Sequence, residues 1–170
     1  MTLAVTGHRP DKLGGYNAEV HNALTGFAAT TLALTRPSGV ISGMALGWDY
    51  AVAVACVRLG IPFVAAIPFE GQESRWPAAA QRDYQMLIKC ASYVHVVSER
   101  DAVAEAGIVW AMHKRNEWMV DNSTKLLALW NGDRSGGTYH CVEYARLGRR
   151  EIENVWPLWD EYWGSGKYLI

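Results

Sequence analysis

Cysteine is scarce in this chain, and what there is does not pair. Cys56, Cys90 and Cys141 are odd in number and widely spaced inside apolar segments. Disulfide frameworks and zinc sites need paired spacings, so buried, reduced thiols are expected. The five histidines are equally scattered, with no HxxxH and no CxxC, so no metal site is expected. Excess charge is missing too. The formal net charge is −1, which gives no global basic footprint for nucleic acid or an anionic membrane, although a local basic groove remains compatible with it. Long hydrophobic runs are absent. The longest, residues 51–57, falls far short of the roughly 18 residues that a membrane span needs. The chain starts straight into an apolar segment with no basic leader, so a cytoplasmic protein is expected. The dinucleotide fingerprint GxGxxG does not occur, and no cofactor is expected.

What is present is an alternation. The 170 residues are half hydrophobic and 19% charged, enough for one domain with a sizeable core. Short apolar runs at residues 3–6, 40–42, 62–67, 93–97, 125–130 and 152–155 read as strands. Between them lie helical patterns. In residues 17–34, Val20, Leu24, Phe27 and Leu34 recur near one face of a 3.6-residue period. Residues 45–59 are apolar almost all round, as in a helix buried between layers. Further helices are expected over residues 77–89, over 101–120 with Asp101 as N-cap, and over 138–147. Strand and helix in repeated alternation define an α/β domain. The expectation is a three-layer fold over residues 1–156, with a mainly parallel sheet of five to six strands. An aromatic tail over residues 157–170 carries Trp159, Tyr162, Trp163 and Tyr168, and either folds back or meets a partner subunit.

In such sheets, ligands bind beyond the carboxyl ends of the strands, where helix N-termini point their N–H groups outward. The first strand ends in TGHRPDKLGGY, where Gly7, His8 and Arg9 suit an anion-binding loop. The second ends in SGMALGWD. Ser42 and Gly43 allow close backbone approach, and Asp49 suits either a ribose hydroxyl or the positive end of the next helix. The third leads into PFEGQESRWP, in which Gln72 and Trp76 are candidates to cover a ligand and stack on a base. On the helix MHKRNEWMVDNS, Met112, Arg115 and Met119 share a face. Arg115 therefore needs an anionic partner, whether phosphate, Asp49 or Asp121. The fifth strand ends in WNGDRSGGTYHCVEYA, where Gly136, Gly137 and Thr138 open a helix as a phosphate cradle.

These segments resemble a known superfamily. MHKRNEWM is similar to the MxxRKxxM helix of the Lonely Guy phosphoribohydrolases, and SGMALGWDYAVAVA to a segment of the DNA-processing protein A family. The ordered set TGHRPxKLGGY, SGMALGWD, PFxGQxxxW, RNxWMVDxS, LLALWNG and GGTxxxVxYA resembles the YpsA/YspA-like branch of the SLOG superfamily over roughly residues 3–155. The resemblance implies a Rossmann-like fold, a nucleotide or nucleotide-derived ligand and, together with the aromatic tail, a homo-oligomer. The phosphoribohydrolases cleave an N-glycosidic bond with an Arg on that helix and a Glu in PGGxGTxxE. Arg115 matches the Arg and becomes the candidate catalytic residue. Asn116 stands where Lys is usual, and Cys141 stands where the Glu is expected. Glu143 does not replace it, since at about 100° per residue it points away from the face shared by Thr138, Cys141, Val142 and Ala145. A carboxylate assisting hydrolysis would have to be Asp49, Asp121, Glu70 or Glu73. Binding of a nucleotide-derived ligand is therefore the expected function. N-glycosidic hydrolysis is the alternative, and single-stranded nucleic-acid binding, suggested by eight Trp and eight Tyr, a weaker one.

Overall fold

The computed structural model describes residues 1–165. β1 (Thr2–Gly7), β2 (Gly39–Ser42), β3 (Phe63–Ile67), β4 (Tyr93–Val96), β5 (Lys125–Leu129) and β6 (Glu151–Asn154) form one sheet in the order β4-β3-β2-β1-β5-β6, every pair parallel. Both faces of the inner strands are buried, which explains their continuous apolar runs. Leu3 and Val5 face one layer, while Ala4 faces the other.

On the first face lie α1 (Ala18–Thr35), α2 (Trp48–Leu59), α3 (Ala78–Ile88) and α7 (Trp156–Gly164). On the second lie α5 (Ile108–Asp121) and α6 (Gly136–Leu147). α2 packs on both α1 and the sheet, with Trp48, Ala51, Val52, Ala53, Ala55 and Cys56 fully buried. The chain winds outward from β1 through β2 and β3 to β4, then returns to place β5 on the other side of β1. The direction of winding reverses at the β1–β5 seam, which opens a crevice beyond the carboxyl ends of those strands.

Four expectations are corrected. The long helix over 101–120 is two helices, α4 (Arg100–Ala106) and α5, because Gly107 at φ 92° and ψ 162° cannot continue a right-handed helix. Glu99, not Asp101, is the N-cap of α4. Leu34 is 80% exposed. The buried stripe of α1 runs through Leu24, Phe27, Ala28, Thr31 and Leu32, and Leu34 lies at its rim. Cys90 is exposed, since it follows the last turn of α3 on the way to the edge strand β4, whereas Cys56 and Cys141 are buried. Among the described residues, no helix is long and apolar enough to cross a membrane.

The aromatic tail folds back as α7. Trp159 is buried, 5.5 Å between ring centroids from Phe27 and 5.4 Å from Trp163. Tyr168 lies outside the described residues. Trp159→Ala is expected to lower unfolding free energy by about 3–5 kcal/mol in urea titration, the usual loss for emptying a buried indole site. A change within about 0.5 kcal/mol would mean that α7 does not belong to the folded core.

Candidate functional site

The crevice at the β1–β5 seam holds a cavity of about 410 Å³. Its floor is the end of β1, where packing requires Gly7: a Cβ there would lie 2.5 Å from Cβ of Trp48. Gly47 at φ 103° makes a second close approach, because a Cβ would lie 2.5 Å from the His8 carbonyl oxygen. These two glycines let α2 begin directly against the β1 loop, with the Trp48 amide 3.4 Å from the His8 carbonyl.

Asp49 and Arg115 meet beneath the cavity. Both are almost fully buried, at 4% and 6% exposure, and Arg115 Nη1 stands 3.8 Å from Asp49 Oδ2. Arg115 Nη1 donates instead to the Gly43 carbonyl. A Cβ on Gly43 would lie 1.6 Å from Nη1, so any larger residue would displace the guanidinium from this position. Ser42 fixes the turn from beneath: its Oγ donates to the Asp49 carbonyl at 2.8 Å and accepts from the Met44 amide at 3.1 Å. The pair is left incomplete. Asp49 Oδ1 and Arg115 Nε are buried without a hydrogen-bond partner. Burial pushes the Asp49 carboxyl up to about 6, against the pull of Arg115, Arg9 and the Gly7 amide. Burial also draws the Arg115 guanidinium below its ordinary value, with Asp49 opposing.

The opposite wall is the start of α6. Ser135, its N-cap, makes no side-chain bond to the helix, because its Oγ donates to Asp133 Oδ1 at 2.9 Å. The first N–H groups of a 12-residue helix are thus left without a side-chain cap where Ser135, Gly136, Gly137 and Thr138 line the cavity. Thr138 Oγ1 donates to the Gly7 carbonyl at 3.0 Å, and Asn116 Nδ2 to the Gly137 carbonyl at 3.0 Å, so α6 is tied to both β1 and α5. Exposed Arg9 and Lys12 stand at the rim, Lys12 paired with Asp133 across the mouth. His8 is buried, its Nε2 2.7 Å from Asn131 Oδ1 and its ring edge-on to Trp156. Burial lowers its pKa. Helix amides without a side-chain cap, the exposed Arg9 and a half-satisfied buried guanidinium thus border one cavity, an arrangement whose electrostatics favour a negative charge.

The structure therefore brings Gly7, His8, Arg9, Asp49, Arg115, Asn116, Gly136, Gly137 and Thr138 around one cavity. Ser42 and Gly43 stand behind it as supports. Three other candidates lie elsewhere. Gln72 donates to the Tyr84 hydroxyl at 2.9 Å, and Trp76 packs edge-on to the Tyr84 ring, so this loop is pinned to α3. Asp121 sits at the far end of α5, accepting from the Tyr144 hydroxyl at 3.1 Å. Cys141 is fully buried and its thiol is pushed up to about 12 by burial, so it is no nucleophile at neutral pH. Glu143 pairs with Arg146 at 2.7 Å. Sequence reasoning missed Val109, Met112 and His113, which line the cavity at i, i+3 and i+4 on α5. The signal was their shared helical stripe with Asn116. Among the described residues, no group of three or more His, Cys, Asp or Glu is placed to hold a metal ion.

A parallel, doubly wound sheet with a cavity at its switch point defines a Rossmann-like α/β protein. Within that class the chain belongs to the YspA SLOG family, whose match covers residues 3–154. It is 33% identical over 118 residues to the SPbeta prophage-derived protein YoqJ of Bacillus subtilis, covering 62% of this chain and 68% of that one. Among solved structures it is similar to DNA processing protein A of Helicobacter pylori, at TM-score 0.63 and 17% identity over 89% of this chain and 63% of that one. It is also similar to DNA processing protein A of Streptococcus pneumoniae, at TM-score 0.59 and 18% identity over 89% of this chain. There it spans about half of the longer protein, 48%.

The raised Asp49 pKa sets a pH dependence. Unfolded, the carboxyl ionises near 3.8, whereas folded it stays protonated up to about 6. The unfolded state therefore binds fewer protons between these values, so stability falls as pH rises from about 4 to 6 and then levels off. The loss is on the order of 2–3 kcal/mol. In urea titrations from pH 4 to 7, wild type minus Asp49→Asn should show this fall, whatever the variant's absolute stability. Parallel profiles would mean that Asp49 ionises normally in the folded protein.

Proposed function

We propose that this protein binds a nucleotide or nucleotide-derived ligand in the β1–β5 cavity, in a sensing, sequestering or regulatory role. The observation that carries this reading is the unfinished pair beneath the cavity. Evolved interiors rarely leave a buried guanidinium nitrogen and a buried carboxylate oxygen unpaired. A ligand's phosphate and hydroxyl groups would meet the adjoining donors and acceptors. The phosphate would sit on the α6 amides with Arg9 closing over it, and a ribose hydroxyl would donate toward Asp49. No step requires a carboxylate at position 141, where this chain has a thiol. Trp48 and Trp159 are committed to the core and offer no stacking surface for single-stranded nucleic acid.

Calorimetry with AMP, ADP-ribose, NAD and cyclic nucleotides is the test. At least one should bind with a low-micromolar Kd, and Arg9→Ala should weaken it by about tenfold or more, as expected for a charge-assisted phosphate contact. Because Arg9 is exposed, the variant should fold normally. No binding across the panel would overturn the reading.

One observation favours a second reading, N-glycosidic hydrolysis. Of the four carboxylates that could assist it, Asp49 alone lines the cavity, and it keeps its proton up to about pH 6. In such a reaction the C1′–N bond breaks as water adds to C1′; Asp49 as general acid would give its proton to the departing base and be reprotonated by the one the water releases. Incubation with nucleoside monophosphates should then release free base, detected by chromatography, and Asp49→Asn should abolish it. Intact nucleotides after prolonged incubation would sink this second reading and leave the first untouched.

A further inference from the structure

The phosphate side of the cavity faces a wall of different chemistry. Val109, Met112 and His113 line it from one turn of α5. Val109 is 68% exposed, an apolar side chain with little protein cover. His113 is half-buried and its ring is stacked on that of His140, centroids 3.8 Å apart and planes 5° from parallel. His140 comes from α6 and stands behind His113 without lining the cavity. Its Nδ1 is buried without a partner, and its Nε2 lies 3.8 Å from Glu117. Burial lowers the pKa of His140, so the backing ring is neutral where most nucleotides are handled.

An imidazole held flat by a second imidazole, flanked by a thioether and a valine, is a platform for a planar aromatic ring. A sugar phosphate would use the anion cradle and leave this wall bare to water. We propose that the ligand is a nucleotide whose base lies on His113, between Val109 and Met112, while its phosphate occupies the start of α6. This rests on the ligand reading above and adds the class of the ligand's other half. His113 would contact the base directly. His140 would act through His113 as a positioning residue, fixing the plane on which the base stacks.

Calorimetry with AMP and ribose 5-phosphate separates the two halves. Wild type should bind AMP about tenfold or more tightly than ribose 5-phosphate, in keeping with the usual effect of one base–aromatic stack. In His113→Ala, AMP affinity should fall to within about threefold of ribose 5-phosphate affinity, which should itself stay unchanged and so report an intact fold. His113→Phe should restore the preference for AMP. Equal binding of both probes by wild type would overturn the base platform and leave the anion site standing. Equal weakening of both probes in His113→Ala would assign His113 to the anion site instead. Wild type that bound neither would overturn the platform, and the ligand reading would fall with it only if no other nucleotide of the wider panel bound.

Discussion

A guanidinium and a carboxylate buried in each other's field, yet not joined, set the geometry of this end of the molecule. Arg115 cannot lose its charge, so once α5 is packed on the sheet its head group must find oxygen. It finds the Gly43 carbonyl at the end of β2, with Asp49 of α2 beyond it. That single side chain thus couples the two layers across the carboxyl edge of the sheet. Buried pairs of this kind contribute little net stability, because desolvation offsets most of the attraction. Their value is positional, and here the position is the floor of a cavity.

The cost of that arrangement is borne by glycine. Three layers converge where β1, β2 and α2 meet, and at Gly7, Gly43 and Gly47 even one extra carbon would strike Trp48, Arg115 or the His8 backbone. Close packing and open space are therefore built from the same choice. Small residues draw α2 and Arg115 in from one side. On the other, Ser135 leaves the α6 amides uncovered by turning its hydroxyl to Asp133. The start of α6 therefore meets a volume bordered by Arg9, Lys12 and Arg115, with Lys12 already paired to Asp133.

Membership of the YspA SLOG family fixes the fold but not the chemistry. Where the resembling hydrolases carry a glutamate, this chain has Cys141, packed among Ala4, Met119 and Val142 with its thiol far from ionising. Its neighbour across the site, Asp49, holds the only carboxyl among the four candidates that borders the cavity.

The alternation of strands and helices, the glycine-rich start of α6 and the buried Arg115 were legible in the sequence because they depend on local patterns: apolar runs, a Gly-Gly-Thr before a helix, an Arg interrupting an apolar stripe. Gly7, Arg9, Asp49 and Gly137 could be named from the segments that follow strands, and Arg115 from the apolar stripe it interrupts. Gln72 and Trp76 could be named by the strand-end rule and Asp121 as a partner for Arg115, yet tertiary packing holds the first two against Tyr84 and the third at the far end of α5. Gly107 ended a helix that periodicity ran through, since an apolar stripe does not register a backbone turned to positive φ. The choice between Asp49 and Asp121 as the partner of Arg115, and the meeting of His113 with His140, lay beyond the sequence for the same reason. Spacing along a helix says which side chains share its face, but what that face meets is decided by another element, more than 20 residues away, carried there by the sheet.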